Sequence, residues 1–216
     1  MSGSADVRRG DAAVRRLGRD DYRRDPRALA PDLLGKLLVH DDAAVGPRVG
    51  RIVEVEAYCG EADPGSHAFR GPTPRNRTMF GPPGGLYVYF TYGMHWCANV
   101  VCGDEGEGVA VLLRALAPLE GIDAMRAARP AARRDRDLCN GPAKLCQAFA
   151  LDGTFDGSDL VTADRGVWVG DDGTAPPVHP FRTTRIGLSA GAEHPWRWCV
   201  PGDPHVSGPV ALRGVP

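Results

Sequence analysis

The sequence has no apolar run of the roughly 18 residues that a membrane-spanning helix needs. Its opening stretch, MSGSADVRRGDAAVRRLGRD, lacks the apolar core of a secretory signal. Both absences point to a cytosolic chain with no membrane partner. Six cysteines, at 59, 97, 102, 139, 146 and 199, form no CxxC pair, and the six histidines form no HxxxH pair. Zinc-ligand spacing is therefore missing, and the thiols read as reduced core residues. No metal and no cofactor are expected. Lysine is scarce: Lys36 and Lys144 are two of 26 basic residues.

Acid is also missing from one long stretch. Between residues 64 and 103 there is no Asp or Glu, yet Arg70, Arg75 and Arg77 are there. Residues 125–147 set six basic side chains against two acidic ones. A net charge of −1 does not by itself advertise a polyanion partner. An uneven distribution of that charge gives either one positive face or merely scattered, solvated arginines.

What is present fits one domain. A chain of 216 residues, 43% hydrophobic and 25% charged, can bury a substantial core. Residues 1–20 are polar and are expected to form a flexible N-terminal segment, leaving 21–216 as a single domain. DPRALAPDLLGKLLVH reads as a helix from Pro26 to Leu34, capped at Asp25, and a strand from Lys36 to His40. RIVEVEAY reads as a strand with Val53, Val55 and Ala57 on one face and Ile52, Glu54, Glu56 and Tyr58 on the other. LYVYFTY, CANVVC and GVAVLLRAL read as three more strands, the first two joined by a turn at Gly93. PLEGIDAMRAAR and NGPAKLCQAFA read as helices, the second with Asn140 as cap and Pro142 in its first turn. Weaker strands are expected at 167–169, 185–189 and 198–200. The class is α+β, mostly antiparallel sheet with several helices. The Gly- and Pro-rich stretch from 59 to 85 holds His67 and three arginines. Segments of that length inside a domain are usually functional or disordered, and function is favoured here.

Glu54 and Glu56 on one strand face stand about 7 Å apart at a rise of roughly 3.3 Å per residue. Two acids at that separation suit either an inverting glycoside hydrolase or a solvated edge strand. Tyr58 continues the face and favours a pocket. Arg114 ends the apolar run VAVLLR, where a charge is costly unless paired, and Glu56 is a candidate partner. Tyr87 and Tyr89 share a strand face, and Tyr92 arrives at the turn. A ring on a strand can stack on a base, and a ring at a hairpin tip can push between base pairs. Stacking contributes about 1–3 kcal/mol per base, comparable with the few kcal/mol that base extraction costs.

GRIVEVEAYCGEADPGSHAFRG, TPRNRTMF, GGLYVYFTYGM, VLLRALAPLEG and NGPAKLCQAF together resemble the alkyladenine DNA glycosylase family, the eukaryotic-type 3-methyladenine DNA glycosylases. The blocks run in order from about Leu33 to about Asp159. The resemblance implies a single compact α+β domain with a curved, mostly antiparallel sheet, unlike the helix-hairpin-helix glycosylases. It implies Glu56 as general base for a water and Arg114 as the residue that helps hold that water. Tyr58 and Tyr89 correspond to the walls around an extruded purine, His67 to a contact on its edge, and Asn99 to the group that excludes the exocyclic amine of guanine. Tyr92, with Met94, corresponds to the wedge left in the duplex. Arg75, Asn76, Arg77 and Lys144 correspond to backbone contacts.

The implied partner is double-stranded DNA bearing damaged purines, met by a monomer. Alkylation at N3 or N7 makes the purine cationic, so one base for water suffices and Glu54 reads as structural. A lyase needs an amine nucleophile. Neither Lys36 nor Lys144 lies in the pocket motifs, so a monofunctional glycosylase is expected. His95 departs from the aromatic residue familiar beside the wedge. The rival readings are a non-catalytic nucleic-acid-binding module and a nucleoside hydrolase.

Overall fold

The computed structural model describes residues 6–9 and 12–208. Among these residues, eleven strands form one antiparallel sheet. They are β1 (Asp6–Arg9), β2 (Ala12–Arg16), β3 (Leu37–Asp42), β4 (Gly46–Cys59), β5 (Gly85–Thr91), β6 (His95–Cys102), β7 (Val109–Glu120), β8 (Ser158–Asp159), β9 (Val167–Asp171), β10 (Phe181–Thr183) and β11 (Arg197–Cys199). The order is β1-β2-β9-β3-β4-β7-β6-β5-β8, and β11 pairs with both β10 and β4. Four helices, α1 (Arg19–Tyr22), α2 (Pro26–Leu33), α3 (Ile122–Ala128) and α4 (Pro142–Ala148), complete an α+β domain whose sheet curves into a half-barrel. No helix among the described residues is long and apolar enough to cross a membrane.

The long strand β4 organises the sheet. Its first half pairs with β3, its second half with β11, and its other edge with β7 along most of its length. Period-2 alternation then sorts side chains onto two faces. Leu86 and Val88 of β5, Ala98 and Val100 of β6, and Val111 and Leu113 of β7 turn to the main core, where Leu29 and Leu33 of α2, Leu145 of α4 and its C-cap Phe149 close over them. Tyr87, Val101 and Ala110 turn to the opposite face with Ala68 and Met79. Truncating a core leucine such as Leu113 costs about 2–5 kcal/mol. Helix α2 starts as its sequence dictates: the Asp25 carboxylate accepts from Arg27 N at 2.8 Å, and Pro26 takes the first helical position, where no amide is needed.

Four local expectations are corrected. In β4 the register with β7 shifts between Ile52 and Glu54 and again before Val55. This bulge sends Ile52 to the main core with Val55 and Ala57, while Val53 joins Ala115, Cys199 and Val206 on the other side. Helix α4 has Gly141, not Asn140, at its N-cap, and the Asn140 side-chain Oδ1 instead accepts from Lys144 Nζ at 2.8 Å. Residues 185–189 are loop rather than strand, and the strand lies earlier, at Phe181–Thr183. Finally, Ala12–Arg16, within the segment expected to be flexible, pairs with β9 and buries Val14 against Leu37, Val39, Val49 and Trp168.

Candidate active site

A pocket of about 180 Å³ opens on the face of the sheet away from the main core. The strands β4 to β7 supply Tyr58, Tyr89, Asn99 and Arg114 to its lining, and the loop after β4 supplies His67. Alternation places them: Tyr87 and Tyr89, Cys97 and Asn99, and Leu112 and Arg114 are the off-core members of β5, β6 and β7. No residue of the lining is acidic. Tyr87 stacks on Tyr89 with centroids 5.3 Å apart, and its hydroxyl lies 3.2 Å from His67 Nδ1. The His67 ring meets Tyr89 edge-on at 4.5 Å. Partial burial and nearby Arg75 hold the His67 pKa below the usual imidazole value, so the ring is neutral at pH 7.

Glu56 sits just behind this lining, fully buried, and three lining residues hold it. Tyr58 donates its hydroxyl to Oε2 at 2.9 Å. Ile186 donates its backbone N–H to Oε1 at 2.8 Å, and Arg114 Nη1 lies 3.1 Å from the same oxygen. Burial raises the Glu56 pKa above the ordinary carboxylate value, against the pull of Arg114, the Ile186 amide and the Tyr58 hydroxyl. A carboxylate offers about four lone-pair sites, so roughly one stays available on the acid. A buried, basic carboxylate beside a pocket of flat rings can take a proton from a water.

Arg114 does not serve Glu56 alone. Its Nε donates to Glu54 Oε1 at 2.8 Å, so one guanidinium bridges both acids. Glu54, also fully buried, further accepts from Arg197 Nε at 2.7 Å, Ser207 N at 2.6 Å and Ser207 Oγ at 2.8 Å. β11 places Arg197 there, because its register sets Arg197 opposite Glu56 and Cys199 opposite Glu54.

The hairpin between β5 and β6 carries the tip. Tyr92 and Gly93 have φ of 52° and 67°, and Met94 N donates to Thr91 O, the arrangement of a type I′ turn. That turn demands left-handed backbone at both central positions, which Gly93 adopts freely and Tyr92 does not. Tyr92 is 79% exposed and Met94 68%. Tyr92 also lines the pocket, so tip and pocket are continuous.

The four residues read as backbone contacts divide. Arg75 and Arg77 are exposed, and Arg75 Nη2 donates to Phe90 O at 2.9 Å, next to the tip. Lys144 is exposed two residues beyond Pro142, which lines the pocket. Asn76 is corrected: it is buried, its amide donates to His67 O and Gly71 O, and its oxygen accepts from Thr73. It shapes the loop that presents His67 and has no free group for a ligand.

Sequence reasoning missed the fourth wall. Ile186 and Leu188 line the pocket, and Arg185 anchors them. Its guanidinium donates to both Asp63 oxygens at 2.5 and 2.7 Å, to Ala57 O at 3.0 Å and to Gly191 O at 2.9 Å. It also lies 4.7 Å from the centroid of the Tyr58 ring. Gly65 is required there, since a Cβ would stand 2.9 Å from Arg185 Nη2 and 2.8 Å from Leu188 Cδ1. The only sequence signal was an isolated arginine before an apolar residue, with its partner 122 positions away.

The family model described as methylpurine-DNA glycosylase (MPG) matches residues 20–204. A protein from Burkholderia lata carrying the name 3-methyladenine DNA glycosylase is 56% identical over 211 residues, 96% of this chain and 100% of that one. Proteins of the same name from Streptomyces avermitilis and Chlorobaculum parvum are 48% and 45% identical, over 88% and 90% of this chain and 90% and 91% of theirs.

Proposed function

The chain belongs to the methylpurine-DNA glycosylase family and is a DNA glycosylase of alkylated-base repair, and on that premise we propose how its residues act. The substrate is a damaged purine in double-stranded DNA, swung out of the helix into the aromatic pocket. Glu56 takes a proton from a water, which attacks C1′ as the N-glycosidic bond breaks and the electron pair leaves with the base. For N3- or N7-alkylated purines the departing base is already cationic, so no acid is needed on its side. The observation that carries this reading is the Glu56 carboxylate, buried and made more basic, held by three groups of a pocket that contains no other acid. Its raised pKa fits a proton acceptor and not a solvated charge.

The other roles follow from position. Arg114 steadies the carboxylate and helps hold the water. Tyr58 and Tyr89 are the walls, and His67, neutral and accessible at one edge, contacts the base. Asn99, from β6, stands where an exocyclic amine would collide. Tyr92 and Met94, exposed on a rigid turn, fill the gap in the duplex. Arg75, Arg77 and Lys144 meet phosphates, which sets position without reading sequence. One copy of the chain suffices for one extruded nucleotide, and its place is the cytoplasm with the chromosome.

The test is release of free base from a methylated duplex by the wild type and by Glu56→Gln. Release by the first and not the second supports the assignment; equal release removes Glu56 from the mechanism. Borohydride trapping of a covalent DNA adduct would contradict a purely hydrolytic reaction, because it requires an amine nucleophile.

A further inference from the structure

A groove of about 530 Å³ lies beyond the pocket, formed by Arg129, Arg133, Arg134, Asp137 and Lys144. It shares the start of α4 with the pocket: Pro142 lines one, Lys144 the other. The loop that carries it is fixed in place. Arg129 donates to the carbonyls of Asp137 and Leu138, the latter at 2.7 Å, and to Gln147 Oε1 of α4 at 3.1 Å.

The acids of this loop are already matched. Asp135 accepts two bonds from Arg126, and Asp137 pairs with Arg134 Nε at 2.8 Å. The surplus is cationic. Arg133 is exposed and makes no hydrogen bond or ion pair among the described residues. Arg134 is 59% exposed in its side chain, so part of its five-donor fork faces solvent. No aromatic residue lines the groove, so it offers nothing for a base to stack on.

We propose that this groove seats the sugar–phosphate backbone of the duplex on the α4 side of the extruded nucleotide, with Arg133 and Arg134 contacting phosphates. This rests on the glycosylase reading of the adjoining pocket. Guanidinium forks match phosphate oxygens in geometry as well as charge. Arg75 stands on the hairpin side of the pocket and this loop on the α4 side, so the DNA is gripped on both sides of the wedge. A protein of net charge −1 thereby binds a polyanion through two local excesses of arginine.

The experiment is binding of a lesion-containing duplex across a salt series, by fluorescence anisotropy. It compares the wild type, Arg133→Ala with Arg134→Ala, Arg133→Lys with Arg134→Lys, and a control pair, Arg23→Ala with Arg24→Ala, two exposed arginines that line neither pocket nor groove and pair with Asp104 and Asp32. Losing two phosphate contacts makes the slope of log K against log salt shallower by about 2. The lysine pair and the control keep the wild-type slope. An alanine pair with the wild-type slope, or a control that flattens equally, overturns the groove. Base release is scored in parallel, with Glu56→Gln as the non-releasing reference. A wild type that releases no base but shows the expected slopes removes the glycosylase mechanism and leaves the groove standing.

Discussion

Glu54 and Glu56 stand two residues apart on β4, equally buried, and share one arginine, yet their surroundings differ in kind. Around Glu54 the closed end of the site supplies two arginines, an amide and a hydroxyl, and no pocket residue except Arg114. Around Glu56 the open end supplies one arginine, and every donor also faces the cavity. The first acid is locked into a closed charge cluster, and the second is held only by groups that border the cavity. Spacing along a strand put both on one face; only the partners separate their roles.

Four variants and one pH profile can break or sharpen that contrast. The largest effect is expected at the open end. Glu56→Gln lowers single-turnover base release by about 10²–10⁴-fold, the usual size of a general-base contribution, while thermal unfolding stays cooperative. In the wild type the acid limb of the rate profile lies above the ordinary carboxylate range. Burial raises the Glu56 pKa, the protonated acid cannot accept, and the rate therefore falls as pH drops through that raised value.

At the closed end, Glu54→Gln leaves Arg114 and Arg197 sharing an uncompensated buried charge, which costs about 3–5 kcal/mol of stability. The check is denaturant unfolding. A stable variant with lost activity would instead make Glu54 a direct participant. Arg185→Lys tests the link between the two ends of the wall. It keeps the charge but loses the two-pronged grip on Asp63, loosening Ile186 and lowering the rate by up to about 10²-fold. Because the Ile186 amide pulls the Glu56 pKa down, its loss moves the acid limb to still higher pH. An unmoved limb with a lower melting temperature would reduce Arg185 to scaffolding. The smallest effect belongs to Tyr92→Ala: about 1–3 kcal/mol of lesion-duplex binding, with stability changed by less than about 0.5 kcal/mol at so exposed a site.

The parts of the site visible in the sequence were those governed by local period. Alternation alone put Tyr87 with Tyr89 and Glu56 with Tyr58, and a Tyr-Gly pair between strands marked the protruding turn. The misplaced parts depend on distant chain. The bulge at Val53 exists only in the register with β7, where Val53 and Arg114 are both left unpaired, and no short window contains both strands. Asn76, flanked by two arginines, was expected to contact the DNA backbone, and it is buried because that loop folds back on His67 and Gly71. Asn140 has the chemistry of a cap but spends its side chain on Asp137 and Lys144. Arg185 read as the start of a strand because an arginine followed by isoleucine gives no hint of a carboxylate far upstream.

The separation between these partners has a consequence for how the enzyme comes into being. The amide that steadies Glu56 is 130 residues downstream of it, and the serine that closes over Glu54 is 153 downstream. On a ribosome both acids emerge long before the groups that tame them. Contacts of such sequence separation are slow to close, so the surroundings of the two acids are among the last features to be set. A nascent chain halted before Ile186 carries the acid without the amide that orients it.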